Sequence, residues 1–167
     1  MRWDRLFDEL EAQADDIGRD ERDALVDELR DGDWAETSWR HLAGGAVVLE
    51  VQGAGRVAGT VTLVNERLVQ LVGERVDHVI ATSAVLTLQS AERRADETGR
   101  VEAALGWGHV FRALRDAGEE ISVRLVDGSS REGTVDVVGG DFVRVTTPSG
   151  RSQVVVWTAI AMVSGRT

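Results

Sequence analysis

GRVAGTVTLVNERLVQL at residues 55–71 and SREGTVDVVGGDFVRV at residues 130–145 repeat one pattern within the 167-residue chain. Both stretches contain Gly-Thr-Val followed by alternating apolar residues, and the two glycines, Gly59 and Gly133, lie 74 positions apart. Apolar residues at every second position are typical of β-strands that bury one face. The repeated pattern therefore predicts two copies of one β-structured unit.

The offset extends over five predicted strands in each copy. After a loop that is one residue longer in the second copy, the apolar positions match again near the end of each unit. One offset held over five strands favours internal duplication over a chance likeness of two strand-rich segments. At the start of the units, Ile121, Val123 and Leu125 match Val47, Leu49 and Val51 in that order. Near their ends, Val155, Ala159, Ile160 and Val163 match Ile80, Ala84, Val85 and Leu88.

The two units resemble SH3-like small barrels, and among these the Sm-like fold, over residues 46–89 and 120–164. Gly59 and Gly133 would let the second strand of each unit curl across the barrel. The resemblance implies an α+β protein with two tandem five-stranded SH3-like (Sm-like) barrels, an N-terminal helical arm and a helical linker. The predicted domains are the acidic arm at 1–42, the first barrel at 43–89, the linker at 90–119 and the second barrel at 120–167.

The Sm-like family generally binds RNA through ring-shaped assemblies, which makes an RNA-binding regulator the alternative function. The strand-turn-strand motif of that family usually has an Asp followed by an aromatic residue, and Asp141-Phe142 resembles this pair. The motif often has an Asn as well, and Arg144 occupies that position here. The first unit has Glu66-Arg67-Leu68 instead. The segment 121–167 is the one part of the chain with a positive net charge, +1. The candidate RNA contacts are Arg124, Arg131, Arg144 and Arg151.

The arm at residues 1–42 carries 14 acidic residues and 6 Arg, and it accounts for most of the net charge of −10. Its apolar residues recur at spacings of three and four, which predicts an amphipathic helix over 3–17. A second short helix is expected at Glu21–Leu29, ended by Asp31-Gly32-Asp33. The apolar stripe of the first helix needs a cover, which is either its own β-units, a second copy of the chain or another protein. As a candidate partner-binding surface, its contacts are Trp3, Phe7, Leu10 and Ile17.

The residues from 90 to 118 predict helix, with Val101, Phe111 and Leu114 on one face and Gly118 as the cap. The chain has five Trp, three Phe and no Tyr, and four of the Trp lie in or near the helical parts. Aromatic residues concentrate in cores and interfaces. These tryptophans either fasten helices onto the β-units or form a partner surface.

Catalytic and cofactor chemistry have little support in the sequence. The three histidines, His41, His78 and His109, are isolated and lack metal-ligand spacing. The chain has no Cys, which excludes disulfides and thiolate ligands. It also has no glycine-rich phosphate loop between a strand and a helix. We therefore expect no enzyme, no catalytic residues, no cofactor and no metal.

The opening residues MRWDRLFDELEAQ also resemble an uncharacterised actinobacterial protein family, some of whose members are labelled helix-turn-helix regulators. The helix pair predicted near the start is acidic and would repel DNA phosphates, so we expect no DNA binding. No apolar run is long enough for a membrane span, and no signal peptide is evident, which favours a cytoplasmic protein. The leading hypothesis is a non-enzymatic protein-interaction or regulatory scaffold protein that binds a protein partner or itself.

Overall fold

A computed structural model of the chain describes residues 22–94 and 100–166. The chain forms two compact units, residues 1–38 and residues 39–167. In the first unit, residues 22–36 form a helix, α1. Its apolar residues Leu25, Val26, Leu29 and Trp34 are between 44% and 64% exposed.

The helix α1 runs past the point where the sequence predicted its end. Asp31-Gly32-Asp33 lies within it rather than beyond it. A single Gly lowers helix stability by only about 1 kcal/mol, which the flanking turns can offset. The helix predicted over 3–17, with Trp3, Phe7, Leu10 and Ile17, lies outside the described residues.

The described residues of the second unit form ten strands, five from each copy of the repeated pattern. The first five are β1 (Gly44–Val51), β2 (Gly55–Val64), β3 (Leu68–Val72), β4 (Val76–Ala81) and β5 (Val85–Glu92). The next five are β6 (Glu120–Leu125), β7 (Ser130–Val138), β8 (Phe142–Thr146), β9 (Ser152–Val156) and β10 (Ile160–Arg166). Two helices precede β6, namely α2 (Arg100–Ala104) and α3 (Trp107–Ala117), and short 3₁₀ turns lie at Trp39–Leu42, Thr82–Ala84 and Trp157–Ala159.

The prediction of two tandem closed five-stranded barrels is wrong. All ten strands form one continuous open antiparallel sheet, in the order β5-β1-β2-β3-β4-β10-β6-β7-β8-β9. The halves join where β4 pairs with β10, from Ile80 opposite Met162 to Val76 opposite Arg166. A free strand edge exposes unpaired N–H and C=O groups, and pairing the two edges satisfies both. The alternation of apolar residues along a strand does not indicate which other strand its free edge will pair with.

The offset of the sequence repeat recurs in the register of the strands. Val47 lies opposite Gly59 in the first half, and Ile121 lies opposite Gly133 in the second. The pairing of β2 with β3 shifts between Val61 and Leu63, and that of β7 with β8 shifts between Val135 and Val137. The two halves therefore share strand order, register and the position of one bulge.

The paired glycines occupy positions where a neighbouring backbone comes close. A Cβ on Gly59 would lie 2.9 Å from the carbonyl oxygen of Val72, and one on Gly133 would lie 2.2 Å from that of Thr146. Gly133 also has a φ of +154°. The close approach explains why the repeated pattern places glycine here in both halves.

The core is one cluster of buried side chains drawn from both halves. Leu49, Leu71 and Ile80 of the first half and Val123 and Val143 of the second are fully buried within it. Helix α3 packs against β7, with Phe111 fully buried and Trp107 8% exposed. Shared burial stabilises two halves that are each too small to bury much surface alone.

The linker is less helical than the sequence predicted. The strand β5 continues to Glu92, and the helical residues after position 100 are divided into α2 and α3. Val101, which the sequence pattern places on one face with Phe111, is 79% exposed, whereas Phe111 is fully buried. Gly118 ends α3 in the left-handed conformation, with φ of 67°, which confirms the predicted cap.

Candidate interaction surfaces

The two ends of the sheet are the strands β5 and β9. Strand β9 contains no charged residue, and β5 contains only Glu92 at its end. Leu86 on β5 is 63% exposed, and Val154 and Val156 on β9 are 59% and 49% exposed. Natural sheets commonly protect free edges with charges, prolines or bulges. Among the described residues, these two edges instead present apolar side chains beside backbone groups that pair with no further strand.

The two ends correspond to the two strands that already pair within the chain. By the repeat, β9 is the counterpart of β4, and β5 is the counterpart of β10. The counterparts follow an offset of 75 residues, since Thr82–Ala84 and Trp157–Ala159 form the same 3₁₀ turn before the last strand of each half. The two end strands are therefore the repeat counterparts of a pair that forms within the chain, and the same 3₁₀ turn follows β9 as it follows β4 and precedes β5 as it precedes β10.

The junction of β4 and β10 holds the most chemically distinctive side-chain contact in the sheet. His78 lies opposite Ser164, and its Nδ1 is 2.8 Å from the Ser164 Oγ. Partial burial lowers the pKa of His78 from its ordinary value of 6.5, and the Asp77 carboxylate opposes this with a smaller upward effect.

The His–Ser pair does not form a catalytic triad. Asp77 and His78 are successive residues of one strand, so their side chains point to opposite faces of the sheet. The carboxylate therefore cannot orient the imidazole as a triad aspartate does. The Asp77 Oδ1 is buried without a hydrogen-bond partner among the described residues.

The four arginines predicted as RNA contacts do not form one patch. Arg144 makes an ion pair with Asp136, with an N–O distance of 2.6 Å. Arg131 lies opposite Val123, whereas Arg124 is the next residue along that strand and faces the other side of the sheet. Arg151 precedes β9 and is exposed. The structure thus divides these charges between two faces and neutralises one of them.

The tryptophans that the sequence analysis singled out differ in how far they are buried. Trp107 is 8% exposed and belongs to the buried core cluster, which agrees with the hypothesis that it fastens its helix onto the β-units. Its ring centroid lies 5.5 Å from that of Phe111, one turn further along the same helix. Trp34 is 58% exposed. Residues 22–94 and 100–166 contain no cluster of three side chains that could hold a metal ion. Within the same residues, no helix combines the length and apolar character needed to cross a membrane.

Sequence reasoning missed the two edges. Leu86, Val154 and Val156 look like ordinary strand residues because alternation does not distinguish a central strand from an end strand. The uncharged sequence Ser152–Val156 was an available signal, since edge strands normally carry a protecting charge. The chain matches no protein-family model, and it matches no curated protein significantly.

Proposed function

We propose that this protein is a non-enzymatic interaction protein that assembles by extending its sheet, with β9 of one copy pairing with β5 of the next. The single observation that supports this proposal is the pairing of β4 with β10. That pairing joins the two halves of one chain, and it leaves their counterparts at the two ends of the sheet. A second copy would supply the missing neighbour at each end.

The register of this contact follows from the junction inside the chain. Val163 lies opposite Val79, which places Leu88 of one copy opposite Val154 of another. Continuing along the strands brings Leu86 beside Val156. The exposed apolar residues of both edges would then cover one another while the free backbone groups pair. Burial of apolar area and main-chain hydrogen bonds together favour such strand addition.

The contact joins two different surfaces, so each copy retains one free edge of each kind. Head-to-tail contacts of this type produce closed rings or open filaments, depending on the rotation between neighbours. The proposal therefore predicts assemblies larger than dimers. We also propose a cytoplasmic location, which agrees with a chain that has no Cys and therefore forms no disulfides.

The test compares the chain with charge variants at the two edges. Sedimentation velocity should show the unchanged chain as an oligomer, whereas Val156→Lys and Leu86→Glu should each be monomeric. Mixing the two variants should restore assembly, because one junction then pairs Lys with Glu and the other pairs unchanged edges. Val156→Thr is the matched control, since it keeps strand propensity without adding charge.

Three results would contradict the proposal. The first is an unchanged chain that remains monomeric up to its solubility limit. The second is assembly that both charge variants retain. The third is the failure of the mixed variants to assemble although each alone melts as the unchanged chain does.

A further inference from the structure

A cavity of about 470 Å³ lies beside the first turn of α3, and its walls come from both halves of the sheet. Residues of the β2–β3 turn, of the 3₁₀ turns after β4 and β9, and of α3 meet there. The aromatic wall is formed by Trp107 and Trp157. The lining also includes the charged residues Glu66, Arg67 and Arg112, and Gly106 and Gly108 lie at the start of α3.

Two guanidinium groups lie against glycines at the start of the helix. A Cβ on Gly106 would be 3.4 Å from Nη1 of Arg67, and one on Gly108 would be 3.2 Å from Nη2 of Arg112. Neither arginine has an ion-pair partner among residues 22–94 and 100–166. The absence of side chains at the two glycines leaves space for both guanidinium groups beside the cavity.

Further donors border the same space. The N-cap of α3 is Gly106, which has no side chain to accept hydrogen bonds from the first turn. The N–H of His109 donates to the Gly106 carbonyl at 3.0 Å, so the N–H groups of Trp107 and Gly108 come before the first hydrogen bond of α3. Such leading N–H groups favour negative charge. The cavity therefore combines two arginines and the N-terminal end of a helix with an apolar aromatic wall.

We infer that this cavity binds a monocarboxylate with an apolar or aromatic body. The carboxylate would lie between Arg67 and Arg112, and the body would lie against Trp107 and Trp157. Guanidinium groups match carboxylates geometrically, and their charge-assisted hydrogen bonds are stronger than neutral ones. The size suits a small acid or the last residue of a peptide with its free terminal carboxylate.

The charges of the lining favour a single negative charge on the ligand. Arg67 and Arg112 carry two positive charges, and the carboxylate of Glu66 offsets one of them. One ligand carboxylate completes the balance, whereas a phosphate dianion would leave an excess of negative charge in a partly enclosed space. The two arginines lie on the β2–β3 turn and on α3 rather than on β5 or β9, so substituting them tests this site without changing an edge strand.

The test uses four probes that share a phenyl group and differ in the charged end. Phenylacetate presents a small free carboxylate, and acetyl-Gly-Phe presents a peptide terminus. Phenylacetamide is the neutral match, and phenyl phosphate is the dianionic one. Binding is followed by nuclear magnetic resonance shifts of the tryptophan indole N–H groups and by calorimetry. At least one carboxylate should bind about tenfold more tightly than the amide, the effect of a single charge-assisted contact.

Three substitutions and one control locate the site. Arg67→Gln and Arg112→Gln should each weaken carboxylate binding about tenfold or more. Arg56→Gln, which changes an exposed arginine on β2, is the matched control and should leave binding unchanged. Gly106→Asp should supply a carboxylate at the N-cap itself, and it should therefore raise the melting temperature while reducing binding.

Comparing the four probes also identifies the source of the carboxylate. Binding of phenylacetate supports a free acid as the ligand, and binding of acetyl-Gly-Phe alone supports a peptide terminus. The inference is overturned if no probe binds, if the amide binds as well as the acids, or if phenyl phosphate binds more tightly than both. It is also overturned if both glutamine variants melt normally and still bind the carboxylate unchanged.

Discussion

The two halves of the sheet share one register but differ at the turn after their second strand. The first half has Asn65 there, and the second half has Gly139 at the counterpart position. Asn65 is 5% exposed, and its Oδ1 accepts hydrogen bonds from the N–H groups of Arg67 and Leu68 at 2.7 and 2.8 Å. Its Nδ2 donates to the carbonyls of Glu102 and Leu105 at 2.8 and 3.0 Å.

The second half cannot make the same contacts. A Cβ on Gly139 would lie 2.3 Å from the ring of Phe142, which stands where the first half has Leu68. The backbone pattern is nevertheless kept, because Thr82 and Trp157 each donate an N–H to the carbonyl of the corresponding turn residue at 2.9 Å. The two halves thus share the backbone pattern of this turn, whereas only the first half has a side chain there, Asn65, that anchors the linker helices.

The largest expected effect tests whether the cores of the halves are equivalent. Val135 is 7% exposed, whereas its counterpart Val61 is only half-buried. Val135→Asp should lower the free energy of unfolding by about 4 kcal/mol, because an unpaired charge enters the core. Val61→Asp should cost about half as much, since its carboxylate can reach water.

Urea unfolding followed by tryptophan fluorescence measures both values. Thr134→Asp is the control, because Thr134 is exposed and neighbours Val135 on the opposite face. It should change stability by no more than about 0.5 kcal/mol. Equal losses at Val135 and Val61 would show that the two halves bury this position alike, against the structure.

The next largest expected effect on stability concerns the turn at Asn65, whose side chain bonds to the linker helices. Asn65→Ala should lower the free energy of unfolding by about 3 kcal/mol, because it leaves buried backbone donors and acceptors unsatisfied. Hydrogen exchange should rise in α2 and in the first turn of α3 beyond the change expected from global stability.

The second half offers the matched comparison. Gly139→Asn should not stabilise the protein, because the new side chain would meet the Phe142 ring. If Asn65→Ala were neutral, or if the exchange rates of α2 followed global stability alone, the anchoring role of Asn65 would be wrong.

The smallest effect concerns the junction between the halves. His78 has the counterpart Gln153, which does not titrate. Because the pKa of His78 is lower in the folded chain than its ordinary 6.5, the unfolded chain binds more protons below that pH. The stability that His78 contributes to the folded chain is therefore fully present above pH 6.5, and it is lost as the pH falls through the lower pKa of the folded chain.

His78→Gln tests this by placing the second-half residue in the first half. Its loss of stability between about pH 7 and pH 5 should be smaller than that of the unchanged chain, by less than about 1 kcal/mol because His78 is partly exposed. Chemical unfolding at a series of pH values measures the difference. Parallel pH profiles for the two proteins would show that His78 does not contribute to the pH dependence of stability.

Much of the local structure could be predicted, because it depends on neighbouring residues. Alternating apolar residues indicated all ten strands, and Gly118 indicated the end of α3. The helix predicted over 90–118 failed in part because Gln89–Glu92 pairs with β1 and Gly106 begins a new helix. The cavity was not predicted, since Arg67, Arg112 and Trp157 are far apart in the chain.

The sequence by itself determined that this chain contains a duplicated β-unit with strands in matching positions. That information is local, because periodicity, turn glycines and the 74-residue offset need no knowledge of distant contacts. Tertiary structure alone decided that β4 and β10 pair, which converts two expected barrels into one open sheet and makes β5 and β9 its ends. The physical reason is that every strand carries the same backbone donors and acceptors, so an edge can pair with any strand of suitable direction. Which partner it finds depends on the burial that the whole unit achieves.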